Sequence, residues 1–124
     1  MAADRDKLTI GRLGERLAAE FLKKQGAKVI DHNFHTRFGE LDLIAQLGDE
    51  LLFCEVKTRS SLEYGFPELA VNQSKLDHLT KAVEIYLAEK QWVGFWRLDT
   101  LAVQLDLAKR SAKVKWFKDI SRNI

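Results

Sequence analysis

The stretch Gly39-Glu40-Leu41-Asp42-Leu43-Ile44-Ala45-Gln46-Leu47-Gly48-Asp49-Glu50-Leu51-Leu52-Phe53-Cys54-Glu55-Val56-Lys57 decides how this chain folds. Gly48-Asp49 is a two-residue hairpin turn set between two apolar-rich runs, Glu40–Ala45 and Leu51–Lys57. If Leu47 pairs with Glu50, paired residue numbers sum to 97, which puts Asp42 opposite Glu55 and Glu40 opposite Lys57. Side chains alternate along a strand, so Glu40, Asp42, Glu55 and Lys57 are expected on one face. Cross-strand neighbours have Cβ atoms about 4.5–5.5 Å apart, close enough for two carboxylates to share a cation. Without a cation, like charges facing each other destabilise the sheet. The expectation is therefore a Mg²⁺ or Mn²⁺ site, conditional on a hairpin without a bulge at this point.

Two acids and a lysine on adjoining strands suit phosphodiester hydrolysis. A metal polarises the phosphoryl oxygen and acidifies a bound water, and a neighbouring ammonium orients that water or stabilises the charge that develops. Oxygen donors without histidine or thiolate favour Mg²⁺ or Mn²⁺ over zinc. Acids spaced as Asp42 and Glu55, with Lys57 two residues on, also occur on ordinary charged strand faces. The context is what favours chemistry: the hairpin register, the flanking apolar residues, and Glu15 on the preceding helix.

That helix is predicted from about Ile10 to Gln25, with Leu13, Leu17, Ala18, Phe21 and Leu22 at helical spacing and Gly26 as the stop. Gly14 falls inside the apolar arc, where a missing side chain permits close packing, and Glu15 falls at its edge, able to lean into a cleft. A short strand, Lys28 to Asn33, and a loop through Thr36–Gly39 precede the hairpin. After it comes a loop with Gly65 and Pro67, then a helix from Gln73 to Lys90 with Asn72 as N-cap and a Leu76, Leu79, Val83, Tyr86, Leu87 stripe. Strands at Phe95–Leu105 and Lys113–Phe117 close the pattern. The order α-β-β-β-α-β-β reads as one α/β domain over residues 1–124, a central mixed β-sheet flanked by helices.

Composition excludes several classes. The chain has 46% apolar and 31% charged residues, the balance of a globular protein. No apolar run is long enough to span a bilayer, no secretion signal is visible, and Cys54 is the only cysteine, so the expected location is cytoplasmic, with no membrane partner. Net charge is +2, but Lys109–Arg122 holds six basic residues and one acid, leaving −3 on the remainder. A basic end beside an acidic centre suits a protein that holds a polyanion on one surface and metal on another, although a solvated charged strand has the same composition. Lys75, in the first turn of the second helix, sits where the macrodipole disfavours a cation unless helix end and lysine together receive a phosphate. Arg59, beyond Lys57 on the same alternating face, and Lys113 and Lys115 on the last strand are the other candidate backbone contacts. Arg97 and Asp99 are expected to pair. His32, His35 and His78 read as surface residues, Cys54 as a buried apolar group, Trp96 as core, and Trp116, between Lys115 and Lys118, as a nucleic-acid contact.

Gly14-Glu15, Gly39–Ile44, Phe53–Arg59, Gln73-Ser74-Lys75 and Arg97-Leu98-Asp99 together resemble the YraN family of small bacterial proteins, over about Gly11 to Ile120. That family is placed in the PD-(D/E)xK nuclease superfamily, with archaeal Holliday-junction resolvases as distant relatives. The resemblance implies a restriction-endonuclease-like fold in which Asp42, Glu55 and Val56 hold the metal, Lys57 is catalytic, and Glu15 completes the acidic cluster. No proline precedes Asp42, a departure from the full motif. The implied activity is Mg²⁺- or Mn²⁺-dependent hydrolysis of structured or damaged DNA in repair or recombination, with a homodimer acting on two strands. The alternatives are a nucleic-acid- or protein-binding module that does not cleave, and a structural subunit of a larger assembly.

Overall fold

A computed structural model describes residues 2–60 and 72–120. The elements are α1 (Ala2–Lys24), β1 (Lys28–Thr36), β2 (Gly39–Leu47), β3 (Glu50–Arg59), α2 (Gln73–Lys90), β4 (Phe95–Asp106) and β5 (Ser111–Phe117). The α-β-β-β-α-β-β order is the expected one. The segment with Gly65 and Pro67 lies outside the described residues.

The strands form one mixed sheet in the order β1-β2-β3-β4-β5, with β3 and β4 parallel and every other neighbour antiparallel. The parallel pair requires a crossover, and α2 lies in it. Helices cover both faces. On one, α1 buries Ala18 and Leu22 against Leu43, Ala45, Leu52, Cys54, Leu101 and Val103. On the other, α2 buries Ala82, Val83 and Tyr86 against Ile44, Leu51, Phe53 and Leu98. Along β3 the split follows period two, with Leu52 and Cys54 under α1, and Leu51 and Phe53 under α2. The helix stripes read from the sequence are the faces that pack.

The hairpin register is confirmed where Leu47 pairs with Glu50 and on to Leu43 with Cys54. Gly48 carries φ 63, the left-handed conformation that the two-residue turn needs. Two boundaries differ from expectation. The first helix begins at Ala2, where no apolar stripe yet marks it, and β1 continues to Thr36 because β2 pairs with it as far as Gly39.

Gly14 fixes the seating of α1 on β3. A Cβ built there would stand 2.7 Å from Thr58 Cγ2 and 2.8 Å from Thr58 Cβ, and closer still to the hydroxyl. Thr58 Cβ is anchored to the strand and cannot swing away. Gly14→Ala is therefore expected to destabilise by about 2–3 kcal/mol through overpacking, lowering the melting temperature by roughly 10 °C. A thermal melt unchanged by the substitution would mean that α1 does not approach β3 this closely.

Candidate metal centre and nucleic-acid face

Beyond Leu43 and Cys54 the β2–β3 ladder stops, one step short of Asp42 and Glu55. The carboxylate of Asp42 enters the gap, and its Oδ2 accepts the main-chain N–H of Val56 at 2.8 Å. The expected direct pairing of Asp42 with Glu55 is thus replaced by a side-chain contact one residue along. On β1, Asn33 lies opposite Asp42, between the His32–Leu43 and Phe34–Leu41 pairs. Asn33 adopts φ 49, a left-handed conformation that asparagine tolerates better than most residues. Around it the alternation of β2 slips: Leu43 packs under α1, whereas Leu41 packs under α2 with Ile44.

That slip corrects the expectation that all four charged residues share one face. Glu40 turns towards α1, where the Asn33 side-chain amide donates to Glu40 Oε1 at 2.7 Å and to Glu15 Oε2 at 3.1 Å. Glu55 faces α2, where Lys75 Nζ lies 2.6 Å from its Oε1. Asp42 sits between the two groups, so the carboxylates flank the point where β2 and β3 part. Burial raises the Asp42 carboxyl from its usual 3.8 to about 7, the Val56 N–H opposes the rise, and Glu15, Glu40 and Glu55 add to it. Lys57 follows Glu55 and Phe53 on the α2 face. Burial, then the nearby Lys75 charge, lowers its ammonium pKa.

Each carboxylate is tied to a donor belonging to the protein: Asn33 for Glu15 and Glu40, Val56 for Asp42, Lys75 for Glu55. Among the described residues, no three His, Cys, Asp or Glu side chains already converge as a metal cage. The donors available are all oxygens, the carboxylates of Asp42, Glu55 and Glu15 plus the main-chain carbonyl that is all Val56 offers a cation. That set fits a hard divalent cation such as Mg²⁺ or Mn²⁺. Asn33 was not foreseen. An asparagine within a short strand pattern was the one available signal, since Asn is enriched at positive φ.

The basic candidates also assemble. Asn72 caps α2 by accepting the main-chain N–H of Lys75 at 2.8 Å, and the Lys75 side chain reaches Glu55 of β3. Across the sheet Lys57 is in register with Ala102 and Ala102 with Lys115; in the next row Arg59 is in register with Gln104 and Gln104 with Lys113. Lys57, Arg59, Lys113 and Lys115 thus form a two-by-two array on the α2 face, with about 10 Å between the β3 and β5 members. Trp116 takes the other face. It packs edge-on against Phe21, donates from Nε1 to Asp99 Oδ2 at 2.8 Å, and is half-buried beside the core, with Lys118 Nζ 4.4 Å from its ring centroid. Arg97 and Asp99 do pair, at 3.0 Å. Cys54 is buried, and burial pushes its thiol far up, which suits an inert packing group. His32, His35 and His78 are exposed. No helix among the described residues is long and apolar enough to cross a membrane.

Comparison with known proteins places this geometry in a family. The model of the uncharacterised protein family UPF0102 matches residues 14–103, which include Glu15, Asn33, Asp42, Glu55, Lys57, Lys75 and Asp99. A UPF0102 protein of Syntrophomonas wolfei is 50% identical over 78 residues, covering 63% of this chain and 68% of the relative. One of Caldanaerobacter subterraneus is 37% identical over 105 residues, 84% of this chain and 86% of the relative. Another, of Caldicellulosiruptor saccharolyticus, is 33% identical over 115 residues, 92% and 98% of the two chains. The chain belongs to the UPF0102 family, the YraN family that its motifs resemble.

Proposed function

We propose that this protein is a metal-dependent endonuclease of the PD-(D/E)xK type that hydrolyses phosphodiester bonds in branched or damaged DNA. The observation that carries the reading is the half-buried Asp42 carboxylate bonded to the Val56 N–H at the end of the β2–β3 ladder, with Glu55 on the adjoining strand and Glu15 and Glu40 joined nearby through Asn33. Such a cluster is costly by itself and is relieved by a divalent cation. Asp42, Glu55 and the Val56 carbonyl would hold the ion, with Glu15 completing the acidic set. Bound Mg²⁺ or Mn²⁺ supplies Lewis acidity towards a phosphoryl oxygen and a water acidic enough to attack at neutral pH.

The chain's own residues do the rest. Lys57 places an ammonium of lowered pKa beside the acids, suited to orienting the attacking water and exchanging a proton with it. Lys75, freed from Glu55 when the cation neutralises that carboxylate, can turn to phosphate. Arg59, Lys113 and Lys115 contact backbone on the same face. None of these groups forms a base-reading element, so recognition runs through shape and charge. Two copies would serve two strands. The competing reading, a binding module that does not cleave, draws on the Lys75–Glu55 ion pair, in which the protein's own cation serves the carboxylate.

The test is a panel of branched, nicked, flapped and linear DNAs with Mg²⁺ or Mn²⁺. Wild-type cleavage is expected to stop on chelation and to fall on the order of 10²–10³-fold in Lys57→Ala. Cleavage that survives the substitution moves the chemistry to another site. DNA binding without cleavage of any substrate decides for the binding module.

A further inference from the structure

The α1 side of the sheet carries a second set of cations that no part of the catalytic reading uses. Arg12, Arg16 and Lys23 lie along one side of α1 and line an open groove of about 530 Å³. The eleven-residue separation of Arg12 and Lys23 corresponds to about 16 Å along the helix. The opposite wall is formed by Val29 and His32 of β1 and Leu43 of β2. Among the described residues none forms an ion pair with Arg12, Arg16 or Lys23. Glu15 also lines the groove, and the amide that holds it holds Glu40 as well, so the groove opens onto the carboxylates around Asp42.

We propose that this groove receives a single-stranded arm of the nucleic acid. A row of cations with no ion-pair partner among the described residues, beside apolar side chains, matches a ligand with phosphates along one side and sugars and bases along the other. The exposed imidazole of His32 adds a face on which a base can stack. A groove of about 530 Å³ along one helix offers room in keeping with a single strand. The duplex portion belongs on the other face, against Lys57, Arg59, Lys113 and Lys115. A nucleic acid that uses both faces parts its strands where β2 and β3 diverge, beside Asp42. The inference rests on the nuclease reading in taking nucleic acid as the ligand, and it names the substrate class: a duplex with a splayed or flapped single strand.

The experiment measures anisotropy of a labelled duplex with an oligothymidine arm, and of the same duplex without it, in chelator over a range of salt. Wild type is expected to bind the armed duplex more tightly, with a log–log salt slope steeper by about two, near 0.7 for each of three phosphates. Arg12→Ala/Arg16→Ala is expected to lose roughly tenfold in affinity for the armed duplex and more than half of the added slope, with the blunt duplex unaffected. Arg12→Lys/Arg16→Lys, which keeps both charges, should retain the slope. Equal wild-type affinity for the two duplexes, or an alanine variant that binds the arm as wild type does, overturns the proposal. Because binding is read without divalent metal, a protein that grips the arm yet cleaves nothing upholds the groove and removes only the catalytic reading.

Discussion

Asp99→Ala is expected to cost about 3–5 kcal/mol of folding stability in urea titrations, the largest loss of any single substitution considered. Asp99 is fully buried. Its carboxylate accepts from Arg97 Nε at 3.0 and 3.1 Å, from Trp116 Nε1 at 2.8 Å and from the main-chain N–H of Asp119 at 2.8 Å. One side chain thereby links β4, β5 and the segment after β5. Truncation leaves a half-buried guanidinium with Glu50 as its remaining carboxylate, and strands an indole N–H and a main-chain N–H. The charge is the expensive part, so removing it as well should recover much of the loss. In Arg97→Met/Asp99→Ala the deficit should shrink by about 2 kcal/mol relative to the sum of the single variants. Additive losses would mean that the two side chains are not coupled and that Asp99 acts only through its neutral hydrogen-bond partners.

The readability of such features in the sequence follows from how local their causes are. The Gln73–Lys90 helix is found to the residue, because Asn72 and a five-residue apolar stripe mark its ends and its inner face within one segment. The hairpin register follows from a two-residue turn and period-two burial, and it holds as far as Leu43 and Cys54. It stops one step later, where the Asp42 carboxylate takes the Val56 N–H and Asn33 of β1 lies opposite Asp42, and no pattern within β2 or β3 contains that information. The three acids and the lysine are legible as residues, while their arrangement where β2 and β3 part is not. Trp116 combines two local signals: alternation with Val114 places it on the α1 side, where both pack half-buried, and Lys118 stands over its ring. Lys75 reached Glu55, and Arg12 and Arg16 came to face β1, through the docking of whole helices, which depends on tertiary packing and not on local period.

The same limit makes Asp42 the residue whose behaviour in solution says most about the site. In the metal-free protein, Asp42→Asn is expected to stabilise the fold at pH 8 by roughly 2–4 kcal/mol, raising the melting temperature on the order of 10 °C. The direction follows from the carboxyl's rise from 3.8 to about 7. Between those values the folded chain keeps a proton that the unfolded chain has released, so raising the pH through the window removes stability. Above pH 7 the whole penalty is present, and towards pH 4 it vanishes. Asparagine preserves an oxygen to accept the Val56 N–H and carries no charge, so its advantage should grow from pH 4 to pH 7 and then level off. Mn²⁺ added at pH 8 should raise the wild-type melting temperature, because binding to the folded state favours the charged carboxylate, and should leave the asparagine variant unmoved. Parallel melting curves from pH 4 to pH 9 would mean that Asp42 ionises freely and that neither burial nor the neighbouring acids raise its carboxyl. A Mn²⁺ shift retained by the variant would place the ion elsewhere. Stabilisation by loss of a charge, paired with loss of the metal response, is what separates a carboxylate kept for binding a cation from one kept for the fold.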